Sequence, residues 1–302
     1  MITELKELLA TLDLEGGDEF NPHAAMTFPL RVTQSMVHRM QPGNYLDPLL
    51  LQFLPQRSED YFDKDYGEDP LEEKSYSPIV GLIHRYQGRV LLLVTDECPI
   101  NCRFCFRRHG RKKISDWQSV FSYIERDSTL EEVILSGGDP FMLSDCQLNE
   151  IFLRLAEMRH IKRIRIHSRI PVAEPKRIVS GFLSSKLPLI LVIHCNHPNE
   201  LNGEVAEALE RLRASKVTLL NQSVLLRRIN DSGQTLIQLS NKLFSFGVIP
   251  YYLHVLDKVT GAQHFNVGIG AAKKIHNMLR RELPGYLVPR LVVERRGGKI
   301  YL

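Results

Sequence analysis

The sequence VLLLVTDECPINCRFCFRR, at residues 90–108, joins a run of apolar residues to a loop that carries three cysteines. The run is typical of a buried strand, and Cys98, Cys102 and Cys105 follow it closely. Thiolates are soft ligands that suit iron–sulfur clusters and zinc. Three thiols are one ligand short of a closed cluster or a structural zinc site, so a cluster held by them would leave one iron open to a small molecule. A partial zinc site and three core cysteines remain alternatives.

The rest of the chain repeats the order of strand and helix. Apolar runs rich in Val, Ile and Leu begin near Val90, Glu132, Arg163, Leu189, Val217 and Val248. Helical spacing occurs between and after them, at Ser115–Arg126, Asp145–Met158, Glu174–Leu183, Gly203–Ala214, Gln234–Phe246 and Val267–Arg281. Strands that alternate with helices predict a parallel sheet. Six units are too few for an eight-stranded barrel, so an open partial barrel and a doubly wound sheet both fit.

Polar motifs after nearly every strand favour the partial barrel, because active sites gather at the carboxyl ends of parallel strands. We therefore predict an α/β fold, a parallel six-stranded partial (βα)6 TIM-like barrel over residues 76–302. Residues 1–75 are predicted to form a helical N-terminal extension and an acidic linker. The extension shows helical spacing at Ile2–Leu12 and Leu30–Met40, and the acidic run at 56–76 is interpreted as a solvated linker.

The composition of the chain argues against two kinds of partner, nucleic acid and membrane. The chain has 302 residues, 43% of them hydrophobic, and a net charge of +4, which does not indicate a nucleic-acid partner. It contains no apolar run of membrane-spanning length and no signal-peptide pattern, so we expect no membrane partner and a cytoplasmic location. Clustered thiols in a reducing compartment bind metal rather than pair. The basic run at 107–113 is either a solvated loop or an anion site.

Taken singly, the strand-end motifs allow ordinary interpretations. Ser136-Gly-Gly-Asp139 is a tight turn or a close approach to a ligand, and Arg169 in His-Ser-Arg suits a phosphate. The histidines in His194-Cys-Asn-His197 are more often loop or ligand contacts than metal ligands. Asp257, past a buried strand, would need a partner if enclosed. Lys299 after Gly-Gly is either a surface lysine or one that forms a Schiff base.

Taken together, these motifs resemble the radical S-adenosylmethionine (SAM) enzymes and, among them, the lysine 2,3-aminomutase family. The resemblance covers roughly residues 75–299. It is carried by Cys98-x3-Cys102-x2-Cys105-x-Arg107-Arg108, Ser136-Gly-Gly-Asp139, His167-Ser-Arg169, His194-x-Asn196-His197-Pro198-Asn199-Glu200, Asn221-Gln222-Ser223, Asp257-x3-Gly261-x2-His264-Phe265 and Lys299. Within the family, the chain is most similar to the short subgroup that makes (R)-β-lysine for attachment to elongation factor P.

The resemblance implies three cofactors and a set of roles. It implies a [4Fe–4S] cluster on Cys98, Cys102 and Cys105, SAM on Ser136, Gly137, Gly138, Asp139 and His194, and pyridoxal 5′-phosphate (PLP) on Lys299, Arg169 and Gln222. It also implies that Arg107 binds the carboxylate of the substrate L-lysine and that Asp257 and Glu294 receive its far ammonium group. The implied reaction converts L-α-lysine to β-lysine by migration of the amino group. The resemblance further implies an electron donor such as a flavodoxin and allows a homo-oligomer.

Two departures from the family pattern lie near the C-terminus. Only Arg295-Arg296-Gly297-Gly298 separates Glu294 from Lys299, where the family has a longer spacer, and Glu294 stands where Asp is usual. An aminomutase for another amino acid, such as glutamate, is an alternative function. A non-catalytic iron–sulfur protein is a second alternative, from a different class.

Overall fold

A computed structural model describes residues 1–17, 20–110, 112–295 and 297–302. Within these residues nine strands form one sheet in which spatial order follows chain order. The strands are β1 Leu82–Tyr86, β2 Arg89–Thr95, β3 Glu132–Gly137, β4 Arg163–Ser168, β5 Leu189–His194, β6 Thr218–Leu225, β7 Ile249–Val255, β8 Arg290–Arg295 and β9 Gly298–Tyr301. The sheet is therefore larger than the six strands that the sequence predicts.

Strand direction separates the middle of the sheet from its edges. Strands β2 to β8 are all parallel to their neighbours. Strand β1 is antiparallel to β2, and β9 is antiparallel to β8. The prediction of a purely parallel, six-stranded sheet is therefore wrong: the sheet is mixed, with seven parallel strands between two antiparallel edge strands. Short connections, such as the turn at Gly88, allow the edge strands to pair antiparallel with their chain neighbours.

The sheet curls until its two edges approach each other. Arg85 of β1 donates a hydrogen bond to the carbonyl oxygen of Arg295, and its guanidinium lies 3.7 Å from the Glu294 carboxylate. The Tyr86 hydroxyl also lies 3.3 Å from Glu294. No backbone ladder joins β1 to β9 in the described residues, so the barrel is nearly closed by side chains.

Among the described residues, three helices precede the sheet and the others lie between its parallel strands. The helices are α1 Leu5–Thr11, α2 Pro22–Thr27, α3 Gln34–Val37, α4 Trp117–Arg126, α5 Asp145–Ala156, α6 Ile170–Ala173, α7 Gly203–Ala214, α8 Gly233–Ser245 and α9 Ile269–Glu282. Local signals set several boundaries; at α5, for example, the Ser144 hydroxyl accepts from the Gln147 backbone N–H while the Gln147 side chain accepts from the Ser144 N–H. The longest helix that the structure describes has 14 residues, and none of the described helices has the length and hydropathy that a bilayer crossing requires.

One predicted helix is wrong and two are much shorter than predicted. The segment Glu174–Leu183 contains a single 3₁₀ turn, Pro175–Arg177, followed by a turn in which the Phe182 N–H donates to the Val179 carbonyl. Ile178 has extended backbone angles and Gly181 has a φ of 73°, so the helix does not continue through them. In the N-terminal extension, helix α3 covers four residues of the predicted Leu30–Met40, and α1 begins three residues after Ile2.

The N-terminal extension is attached to the cysteine loop by a buried ion cluster. Glu59 accepts hydrogen bonds from Arg103 Nε at 2.9 Å and Arg103 Nη2 at 2.6 Å, and from Arg108 Nη2 at 2.6 Å. The exposed fraction of the Arg103 side chain is 0% and that of Glu59 is 2%. The acidic run is therefore not solvated at Glu59, because this carboxylate is the partner of two arginines in the loop. The domain boundary at residue 75 stays a prediction.

We predict that Glu59→Ala destabilises the fold strongly, because it leaves two enclosed guanidinium groups without their carboxylate. Removal of one partner of a buried ion pair costs about 3 kcal/mol or more. The free energy of unfolding, measured by urea denaturation, is the readout. Glu68→Ala is the matched control, since Glu68 is an exposed acid of the same segment. Equal losses in the two variants would contradict a structural role for the cluster.

Candidate active site

A cavity of about 710 Å³ is lined by residues from β1 to β9 and by the loops that follow the parallel strands. This volume lies within the usual range for ligand pockets. Every site residue that the sequence predicts lines it. These residues are Cys98, Cys102, Cys105, Arg107, Ser136, Gly137, Gly138, Asp139, Arg169, His194, Gln222, Asp257, Glu294 and Lys299. Their roles in binding or catalysis stay predictions; what the structure gives is their convergence on one space.

The three loop thiols are reduced and partly buried. The loop turns tightly between two of them, with the Cys105 N–H donating to the Cys102 carbonyl at 2.9 Å. In the part of the chain that the structure describes, no three His, Cys, Asp or Glu side chains form a ligand set for a single metal ion.

Arg169 contacts the cysteine loop directly. Its Nη1 lies 2.7 Å from Cys102 Sγ, and its Nη2 donates to Glu200 at 2.8 Å and to Gln52 at 2.6 Å. The Cys102 thiolate and the Glu200 carboxylate outweigh burial and raise the pKa of Arg169. The predicted contact with the PLP phosphate stays a prediction, and in this structure the terminal nitrogens of Arg169 bind protein groups.

The glycine-rich motif after β3 requires its glycines. Gly137 has a φ of 112°, and a Cβ added at Gly138 would lie 2.0 Å from the carbonyl oxygen of Glu97. Asp139 accepts hydrogen bonds from the Ser168 hydroxyl and the Arg169 N–H, both at 2.7 Å. Burial raises the pKa of Asp139. The aspartate therefore joins the ends of β3 and β4, and the predicted contacts of this motif with SAM stay predictions.

His194 is enclosed beside the cysteine loop. Its ring stacks edge-on against Phe104, with 5.7 Å between the ring centroids, and its Nε2 lies 3.2 Å from Asn196 Oδ1. Burial lowers the pKa of His194 to about 3, so the ring is neutral at physiological pH. His197 Nδ1 accepts the backbone N–H of Asn199 at 3.2 Å. This contact occupies one ring nitrogen of His197 and disfavours the pair of histidines as metal ligands.

Arg107 is hydrogen-bonded to Glu73, an acid that the sequence analysis did not assign to the site. Its Nε donates to Glu73 Oε2 at 2.8 Å and its Nη2 to Glu73 Oε1 at 2.5 Å. Its Nη1 donates to the Ser136 hydroxyl at 3.2 Å. Glu73 comes from the acidic run that the sequence analysis interpreted as solvated, but it lines the cavity instead. Of the adjoining basic run, Arg111 lies outside the described residues.

The C-terminal hairpin places Lys299 directly opposite Glu294. The two residues are paired across β8 and β9, and Lys299 Nζ lies 3.0 Å from Glu294 Oε1. The same Nζ lies 4.1 Å from the centroid of the Tyr252 ring. Within the spacer, Arg295 pairs with Gly298 across the two strands, and Arg296 lies outside the described residues. Lys299 is thus held in a strand with its amine in the cavity.

Asp257 follows β7 in the same region of the cavity. Burial raises the pKa of Asp257 to about 7; Glu294 adds to this shift, and Lys299 opposes it. Two histidines of the cavity wall, His167 and His254, have Nε2 atoms that are buried and lack a hydrogen-bond partner among the described residues. This part of the cavity therefore contains a buried carboxyl with a raised pKa and two buried histidine nitrogens with no hydrogen-bond partner among the described residues.

Sequence reasoning missed several of the cavity's polar residues. Glu73, Arg85 and Tyr252 line it together with the predicted set. Tyr252 lies in a strand directly before Asp257, so its position in the sequence was a usable signal. For Glu73 there was no such signal, because an isolated acid in an acidic run resembles its solvated neighbours.

The chain is similar in sequence to several proteins named L-lysine 2,3-aminomutase. L-lysine 2,3-aminomutase from Escherichia coli is 45% identical over 98% of this chain and 90% of its own length. The protein of that name from Haemophilus influenzae is 42% identical over 98% of this chain and 90% of its own length. The one from Clostridium subterminale is 35% identical over 98% of this chain and 73% of its own length.

The similarity to solved structures is weaker than the similarity in sequence to these relatives. A solved radical SAM methyltransferase from Sphaerobacter thermophilus aligns over 72% of this chain and 69% of its own, with 17% identity and a TM-score of 0.49. No protein-family model matches this chain.

The full-length relatives identify the chain as an isomerase. It belongs to the L-lysine 2,3-aminomutase family.

We predict that the Asp257 carboxyl makes stability depend on pH. The folded protein retains this proton up to about pH 7, whereas an unfolded aspartate releases it near pH ~4. Stability therefore falls as pH rises from about 4 to about 7, since the folded state binds more protons in that window. Asp257→Asn removes the ionisable group, so its stability relative to the unaltered protein should rise over the same window, by on the order of 4 kcal/mol.

Urea denaturation of both proteins at several pH values measures this difference. A difference between variant and unaltered protein that is the same at pH 4 and pH 8 would contradict the assigned pKa.

Proposed function

We propose that this chain is a radical SAM, PLP-dependent lysine 2,3-aminomutase that converts L-α-lysine to β-lysine. The observation that carries the proposal is the convergence, in one cavity, of the three-thiol loop and of Lys299 on its hairpin. The family membership supports the type of reaction. The chemistry of the residues in the cavity supports the cofactors and the substrate.

The residues of the loop fit an iron–sulfur cluster with SAM. Cys98, Cys102 and Cys105 supply soft thiolate ligands and leave one coordination position for SAM. Arg169, fixed by Glu200 and Gln52, directs a cationic donor at Cys102 Sγ, and hydrogen bonds to cluster sulfurs are a means of tuning a cluster. In this proposal Ser136 to Asp139 and His194 bind SAM.

The part of the cavity around Lys299 fits PLP. Lys299 presents an amine next to an aromatic ring, and His167 and His254 direct unsatisfied nitrogens into the same wall. In this proposal Lys299 attaches PLP, while Gln222 and Arg169 contribute to its pocket. When bound, SAM on the cluster supplies the radical that abstracts hydrogen, and PLP supplies delocalisation at the migrating amino group. The protein holds these groups apart from water and in register.

The charges in the cavity fit a substrate with ionised groups at both ends. Arg107 would bind the α-carboxylate of L-lysine, and Asp257 with Glu294 would receive the ε-ammonium. An amino acid without the distant ammonium would bring no counter-charge to the buried carboxyl of Asp257, which is a basis for rejection. This charge pattern favours lysine over glutamate, whose side chain would bring a third carboxylate toward Asp257 and Glu294.

We further propose that the product serves to modify elongation factor P. The support is resemblance to the short subgroup, together with the identity of 45% to the Escherichia coli relative against 35% to the Clostridium subterminale one. A source strain without this chain should contain elongation factor P that lacks the mass of a β-lysyl group, as measured on the intact protein. Unchanged mass would leave the enzymatic proposal intact and remove this destination.

The test of the reaction is an anaerobic assay of the reconstituted protein with SAM, PLP, a reductant and L-lysine. We expect β-lysine, identified by chromatography with mass spectrometry, and no product from L-glutamate. Lys299→Ala should lose the visible absorbance of bound PLP and the product, yet retain the iron content. Cys102→Ala should lose iron and retain PLP. Turnover of SAM to 5′-deoxyadenosine without β-lysine would overturn the substrate assignment.

We predict that kcat/KM for L-lysine rises with pH through about 7. Asp257 must be ionised to pair with the substrate ammonium, and its pKa in the protein is about 7. Asp257→Asn should lower kcat/KM by roughly a hundredfold and remove this rise, because the amide carries no charge at any pH. A variant that keeps the same pH profile would show that another group is responsible.

A further inference from the structure

We propose that Glu73 is a positioning residue that orients Arg107 for the substrate carboxylate. The inference rests on the proposed function, in which Arg107 binds that carboxylate. It assigns a role to the segment before the barrel, residues 67–76, which we call the strap. The strap was expected from sequence to be solvated, but it contributes Glu73 to the cavity wall.

The contact between the two side chains has the geometry of a two-point clamp. Two different nitrogens of Arg107 donate to the two different oxygens of Glu73, at 2.8 and 2.5 Å. Paired hydrogen bonds of this kind fix the plane of a guanidinium as well as its position. Both side chains are well shielded, with exposed fractions of 10% for Arg107 and 21% for Glu73, so water competes little for either.

The strap can hold Arg107 in place because it is itself fixed at both ends. At one end the Gly67 N–H donates to the Lys258 carbonyl at 3.0 Å, and the Thr260 N–H donates to the Gly67 carbonyl at 3.1 Å. At the other end Arg85 lies over the Tyr76 ring at 5.1 Å, and the Gly297 N–H lies 3.2 Å from the Tyr76 hydroxyl. These contacts join the strap to the loop after β7 and to the β8–β9 hairpin.

Glu73 is also fixed locally. Its backbone N–H donates to the Asp69 side chain at 3.0 Å, at the start of a 3₁₀ turn over Glu73–Tyr76. An arginine side chain has about 2 kcal/mol of rotamer entropy to lose on binding. A clamp on a fixed backbone removes much of that freedom before substrate arrives, so less is lost when the carboxylate binds.

Glu73 also acts electrostatically on Asp257. Together with Glu294, its charge helps to raise the pKa of Asp257, while Arg107 acts in the opposite direction. Glu73 and Arg107 are therefore electrostatically coupled to the acid proposed to bind the far end of lysine. The clamp and the ammonium site belong to one network of charges.

The first experiment compares Glu73→Gln with the unaltered enzyme. A glutamine amide accepts with its oxygen only, and its NH2 group opposes the second arginine N–H, so the clamp is lost at nearly constant volume. We expect KM for L-lysine to rise roughly tenfold with kcat within about twofold, the pattern of lost uniform binding. Glu68→Gln removes the same charge from the exposed part of the strap and should leave both constants unchanged.

A second readout does not depend on turnover. An arginine-specific dicarbonyl such as 2,3-butanedione is added without substrate, and modification of Arg107 is followed by peptide mass spectrometry. Arg107 should react several-fold faster in Glu73→Gln than in the unaltered protein or in Glu68→Gln. Glu73→Asp keeps the charge on a shorter side chain and should give an intermediate rate. Thermal melting verifies that each variant is folded.

Two results would overturn the inference. A lower KM in Glu73→Gln would mean that Glu73 competes with the substrate for Arg107 rather than orienting it. Unchanged KM and unchanged reactivity would mean that the clamp does nothing for Arg107. If the unaltered protein does not convert lysine, the proposed function fails, but the reactivity comparison still decides whether Glu73 holds Arg107. The two failures are therefore distinguishable.

Discussion

The parallel ladder from β2 to β8 is the constraint on which the rest of the structure depends. Parallel pairing brings the carboxyl ends of all seven strands to one rim, so residues separated by up to two hundred positions meet there without long loops. The cysteine loop follows the first of these strands and Asp257 the sixth. The segments between the parallel strands return the chain to the opposite rim, which leaves the carboxyl rim to the polar motifs.

Much of this rim was predictable because short-range patterns determine it. Buried parallel strands are apolar runs, and polar motifs directly after them mark the carboxyl ends, so the positions of Cys98, Asp139 and His194 followed from sequence. Strand number was harder. β1 and β9 are short, antiparallel edge strands, and their pairing depends on turns rather than on a distinctive hydrophobic pattern. The helix predicted over Glu174–Leu183 is absent because Ile178 is extended and Gly181 has a positive φ, neither of which the apolar spacing reveals.

What the sequence concealed are contacts between distant acids and arginines. Glu59 and Glu73 lie in one acidic run, yet each pairs with an arginine of the cysteine loop, 44 and 34 positions further on. Nothing in the composition of the run separates them from exposed neighbours such as Glu68, because burial of a charge depends on a partner supplied by tertiary structure. The acids of the run are therefore a mixture of solvated residues and of two, Glu59 and Glu73, that pair with the cysteine loop.

In the hairpin formed by β8 and β9, an even or an odd number of residues before Lys299 decides whether its side chain points into the cavity or away from it. Side chains alternate between the two faces of a strand, and Lys299 faces the cavity because it lies directly across from Glu294. One residue added within β9 before the lysine would turn its amine to the outer face while the loop stayed connected, whereas two would restore the inner face. Variation in the length of this segment is thus tolerated in steps of two, unless a bulge absorbs the odd residue.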